Sequence, residues 1–266
     1  MMRNGVPLIC LGALLCLAAA PPSEQPAFPG QGEPPRTAAD ASSLMAMLYG
    51  ARDPNDVSYR GGEACRERPC PVRLLAQSTW TAADGEARWL LVMAAEPIDA
   101  PQATEALLGI AQLRHDAAGW VLEAGSPVVA EAGSYGIAPQ ATIVDAGSIG
   151  RGVATIDSDM HQGVAESGWD LYLPVAGHFT RVLALGDGKD SSGQCSRDDA
   201  ACWRAADPLN FHLTDYAAAV AVIPDAAGGV DVSQVITSLP PGRHVEAVKR
   251  WHIDGSGTVQ EQSGGR

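Results

Sequence analysis

Apolar residues along this chain fall into one continuous run and many short ones. The continuous run, Val6 to Ala20, is uncharged, follows Arg3 and precedes a polar, Pro-rich stretch from Pro21 to Ala39. A positive start, a short apolar core and small residues at its end make the order of a secretory signal peptide. The run is shorter than the ~20 residues a transmembrane helix needs, and no later run is longer. The expectation is a leader over residues 1–20 and a flexible linker over 21–39. Cleavage fits after Ala18 or after Ala20, although Pro21 would then adjoin the cut. Cys10 and Cys16 raise lipid attachment as an alternative, but the large residues Ile9 and Leu15 stand where such a signal wants a small one.

The short runs begin after the linker. Asp40 to Ser43 can cap a helix, Leu44, Met47 and Leu48 fall at helical spacing, and Gly50 can end it. From Pro71 onward the pattern reads as strands: Val72–Ser78, Arg88–Met93, Ile110–Arg114, Trp120–Glu123, Pro127–Ala130, Val153–Ile156, Asp170–Pro174, Phe179–Leu185, Ala217–Ile223, Val230–Ile236, His244–Ile253 and Thr258–Glu261. Pro101–Leu108 reads as a helical turn. Asp116-Ala117-Ala118-Gly119, Asp225 to Gly229 and Asp254 to Gly257 are hairpin turns by composition. Many short strands without long βα alternation predict a mainly β domain, an antiparallel sheet structure with one short N-terminal helix. A single domain over residues 40–266 is expected, any subdivision falling in the Gly-rich stretch 133–152.

Charge and cysteines narrow the class. A net charge of −13 argues against a nucleic-acid partner, which needs a basic face, and against anionic lipid surfaces. It suits a dispersed soluble protein, or attraction to a cationic partner or Ca²⁺. Beyond the leader, Cys65, Cys70, Cys195 and Cys202 form an even set, which in an exported chain points to disulfides. Closeness in sequence favours Cys65–Cys70 and Cys195–Cys202. The spacings differ from those of structural zinc sites. Loops this short pin local structure more than they stabilise a fold.

The common catalytic signatures are absent: no nucleophile elbow, zinc-protease helix, phosphate loop, dinucleotide fingerprint or S-x-x-K. Weaker constellations remain. Asp157, Asp159 and His161, in a polar segment ending at Gly163, could act as acid and base or hold a cation; a polar loop between strands is the plain alternative. Asp187 and Asp190, in a Gly-rich turn, suggest Ca²⁺ oxygens, but Lys189 intrudes, so a disulfide-closed loop is the competing reading. The six histidines are scattered, though His244 and His252 would share a strand face. The six tryptophans could line a sugar groove or fill the core.

Several short runs carry a resemblance: Gly119-Trp120, Gly133-Ser134-Tyr135-Gly136, His161-Gln162-Gly163, Gly177-His178-Phe179 with Val182-Leu183, Gly193 with Cys195, and Cys202-Trp203. With the leader, the chain resembles uncharacterised exported proteins of Gram-negative bacteria. The resemblance implies a periplasmic or secreted location and brings no activity or site residue with it. The resulting expectation is an acidic envelope protein that binds a small ligand or another envelope protein, without a cofactor. The alternative is a periplasmic hydrolase of unfamiliar type using Asp157, Asp159 and His161.

Overall fold

The computed structural model describes residues 25–30, 40–161, 164–190, 216–226, 228–238 and 245–262. Its one helix, α1 (Ala41–Tyr49), forms where the caps placed it. The Asp40 carboxylate accepts the Ser43 amide at 2.8 Å, and Gly50, with φ of 65°, closes the other end. Both faces of α1 are apolar, and seven of its residues are buried. A helix of that composition must be covered on all sides.

The strands make an antiparallel meander in two sheets. The first sheet holds β1 (Ser58–Tyr59), β2 (Cys70–Thr81), β3 (Ala87–Ala95), β4 (Ala106–Asp116) and β5 (Gly119–Ala132) in chain order. The second holds β6 (Gln140–Asp145), β7 (Arg151–His161), β8 (Val164–Val175), β9 (His178–Asp190), β10 (Tyr216–Asp225), β11 (Gly229–Ser238), β12 (Val245–Asp254) and β13 (Val259–Gln262), also in chain order. The chain crosses between sheets after Ala132, inside the Gly-rich stretch.

Three apolar clusters hold these layers. Leu91, Met93, Ala111 and Leu113 face α1. The alternate residues Leu90, Val92, Leu108 and Ile110 face Val153, Tyr172 and Phe179 of the second sheet. That division follows from the two-residue period of a strand, and it explains why β3 reads as unbroken apolar sequence: both its faces are covered. The third cluster lies within the second sheet. β9 and β10 pair only at Tyr216↔Lys189 and Ala217↔Gly188, so the last four strands turn back over β8 and β9. Val230, Val232, Trp251 and Ile253 thereby bury Leu171, Leu173 and Leu183. Where the backbone ladder parts, buried Gln234 spans the gap by donating from its amide nitrogen to the Gly186 carbonyl.

Some expected boundaries shift. Residues 106–108 belong to β4, and the helical turn is reduced to one bond, Thr104 N–H to Pro101 O at 2.9 Å. Trp120–Glu123 and Pro127–Ala130 are parts of one strand, β5, interrupted by irregular register between Leu108 and Ile110. Pro127 sits in that irregularity, where no ladder donor is required of it. The Pro-rich stretch behaves as part of the packed body over residues 25–30. Gln25 Nε2 donates to Phe179 O at 3.0 Å, and Pro26 O accepts the Ser126 hydroxyl at 2.7 Å. Phe28 is 2% exposed and meets Tyr49 edge to face. Gly30 donates to Leu48 O at 2.8 Å, and a side chain there would collide with the Met47 carbonyl. This strap crosses from β9 over β5 to α1.

Candidate functional site

Three connections converge at the end of β3. The first, Glu63 to Arg68, is closed by the Cys65–Cys70 disulfide, whose Cα atoms lie 5.3 Å apart. Both cysteines are buried in the α1 cluster, so the bond anchors the loop to the core. The second is the β3–β4 connection, Glu96 to Gln102. The third is the sharp turn Gly133 to Ala138, closed by the Ser134↔Ile137 bridge.

Each loop is tied from beneath. Glu96 accepts two hydrogen bonds from the Arg73 guanidinium, at 2.7 and 3.0 Å, and one from the Ala138 amide at 3.1 Å. The Tyr135 amide donates to Gln102 O and the Gly136 amide to Thr104 O, at 3.1 and 2.7 Å. Gly136 is needed: a Cβ would press on the Pro97 carbonyl and the Ala100 methyl, and its φ is 72°. Asp99 and Tyr135 themselves hold φ values of 56° and 55°. Left-handed backbone at such residues costs about 1–3 kcal/mol each and persists where the surroundings enforce it.

Among the side chains these loops show to solvent, three are large and apolar. Ile98 is 52% exposed, Tyr135 52% and Ile137 62%. Beside them a cleft of about 520 Å³ is lined by Glu63, Arg66, Glu67, Arg68, Pro97 and Ile98. Its lining carries both signs of charge beside Pro97 and Ile98 and adjoins an exposed Arg68–Asp99 pair at 3.5 Å, which contributes little by itself. Exposed apolar side chains grouped on rigid loops are the physical make-up of a docking surface.

The expected site residues fall as follows. Asp157, Asp159 and His161 lie in β7, where a polar loop was one reading. Alternation puts them on one strand face. Asp157 Oδ2 accepts the Gly133 amide at 2.8 Å, and Asp159 Oδ1 accepts Gln102 Nε2 at 3.4 Å. The two carboxylates thus support the second and third loops, and neither lines the cleft. The His161 side chain lies outside the described residues. Asp187 is the extra residue of a bulge in β9, between Gly186↔Gly168 and Gly188↔Ser167. Burial pushes its carboxyl above its ordinary value. Asp190 ends β9 with its side chain outside the described residues. Among the described residues no three His, Cys, Asp or Glu side chains cluster as metal ligands. Cys195 and Cys202 also lie outside them, as do His212, His244 and Trp203.

The partner of one histidine was not visible in the sequence. His252 Nδ1 lies 2.9 Å from Asp231 Oδ1 and 3.9 Å from Asp225 Oδ2. Asp231 and His252 are cross-strand partners in β11 and β12, so the signal was register, which a single sequence does not display. The loop surface was missed for a similar reason. Ile98, Tyr135 and Ile137 are isolated apolar residues in sequence, and only the fold gathers them.

Among the described residues no helix is long and apolar enough to cross a membrane. Comparison with known proteins finds no matching family model, no similar curated protein and no similar solved structure.

Proposed function

We propose that this chain is an exported envelope protein, periplasmic or secreted, that acts as a binding module and docks another protein through the surface formed by loops 63–68, 96–102 and 133–138. The observation that carries the reading is the grouping of exposed Ile98, Tyr135 and Ile137 on loops held by Glu96, Asp157 and the Cys65–Cys70 disulfide. A pre-formed surface loses little ordering entropy on binding. The leader at Val6–Ala20 and the disulfide support export. Hydrolysis by Asp157, Asp159 and His161 is the alternative. What weighs against it is that both carboxylates already accept hydrogen bonds from loops they hold in place.

The test places a photo-crosslinking amino acid at Ile137 and, as a control, at exposed Val248 on β12. In cells, the first should yield a discrete crosslinked species that disappears with Tyr135→Ala, and the second should not. Equal patterns at both positions would remove the reading. Turnover of ester, phosphoester or peptide substrates that is abolished by Asp157→Asn would favour the hydrolase.

A further inference from the structure

At the other end of β3, about 20 Å from the loops, the α1-facing side of the first sheet carries a second feature. Trp89 and Trp120 meet at 5.4 Å between ring centres with their planes 69° apart, and His115 meets Trp120 at 4.9 Å and 81°. Trp89 Nε1–H donates to Gln77 Oε1 at 3.2 Å, which fixes the indole. Both indoles rest partly buried on the margin of the α1 cluster, and His115, Gln77 and Thr79 are exposed around them.

Register shows why these side chains share a face. Thr79 and Leu113 flank Trp89 on β2 and β4, Gln77 pairs with Leu91, and His115 pairs with Trp120. The intervening residues Arg88 and Arg114 point to the opposite face, with their acidic partners Glu86 and Glu123. Among the described residues the aromatic face is therefore built from Gln77, Thr79, Trp89, His115 and Trp120, none of them a carboxylate, lysine or arginine, on a molecule of net charge −13.

We propose that this corner is a saccharide-binding site. The two indoles are only partly buried and offer aromatic area at little conformational cost. Exposed Gln77, Thr79 and His115 offer donors and acceptors beside them, the pattern of an aromatic site with a few placed polar groups. A quaternary ammonium would also favour ring faces, but no carboxylate is placed there to complement it. The neutral face selects a neutral, hydroxyl-rich ligand. This proposal stands apart from the loop surface and does not depend on it.

The experiment titrates the mature protein with cellohexaose, maltohexaose and chitohexaose, and with choline as the cationic probe, following the indole N–H resonances of Trp89 and Trp120. At least one hexaose should move both resonances at millimolar concentration, and choline should not. Trp120→Ala should weaken that hexaose at least about tenfold, or 1.4 kcal/mol. Exposed His115→Ala and Gln77→Ala, which keep both tryptophans, should each weaken it severalfold and keep the test valid if Trp120→Ala fails to fold. Silence from all three hexaoses, a response to choline alone, or binding unchanged in every folded variant would overturn the proposal.

Discussion

The Glu96 carboxylate joins β3 to a turn some forty positions further along the chain, and a proton would break that join. Its hydrogen bond with Arg73 chiefly, then the Ala138 amide and the Arg73 charge, hold the carboxyl below its ordinary value, against a smaller upward push from burial. The unfolded chain binds the proton more readily. The stabilisation is therefore complete above the usual carboxylate range, about pH 4.3, and is lost as pH falls through the lowered folded value. Denaturant midpoints followed from pH 7 to pH 3 should drop less steeply for Glu96→Gln than for the natural chain. Amide exchange at residues 133–138 should rise in the variant already at neutral pH. Parallel acid curves for the two proteins would show that Glu96 is not the switch.

At the scale of elements, the disulfide and its loop make a unit. Cys65 and Cys70 enclose a short segment, so the entropic stabilisation is about 2 kcal/mol, yet both sulfurs lie inside the α1 cluster. Replacing both cysteines with Ala should leave a folded protein that melts earlier by roughly that amount, with faster exchange across residues 61–69. A larger loss, with α1 exchanging as well, would mean the bond holds the helix rather than the loop. Elements announced by local chemistry were readable in the sequence. α1 had its caps, and the β4–β5 hairpin had Asp116, whose carboxylate accepts the Ala118 and Gly119 amides. Elements defined by distant partners were not. The end of β7 carries Asp157, Ser158 and Asp159 and resembles a loop until its pairing with β8 is known. β5 resembled two strands because Ala124-Gly125-Ser126 interrupts the pattern. Of the candidate site, the two acids on β7 were noticed for their chemistry, while their hydrogen bonds to neighbouring loops depend on the fold. The tryptophans were noticed too, but which of them meet depends on register: Trp169 and Trp251 fill the core, while Trp89 and Trp120 reach its margin.

Over the whole molecule, the strap at residues 25–30 ties β9, β5 and α1 to one segment. Phe28 is its apolar anchor. Phe28→Ala should cost about 3–5 kcal/mol, the range for a buried Phe, in urea unfolding of the mature protein. The exchange protection of α1 should fall with it. A cost below about 1 kcal/mol, as for a surface change, would mean the strap lies on the body without supporting it.

The strap also sets an order of events in time. Nearly every strand finds its partner in the segment that follows it, so a chain growing from its N-terminus can complete one hairpin after another without waiting. The strap is the exception. It is made before α1 and every strand, yet its bonds reach across 100 residues to Ser126 and 154 residues to Phe179. Until β9 has been made, Gln25 lacks the Phe179 carbonyl that it bonds, so the earliest segment of the body completes its contacts only after nine strands have followed it.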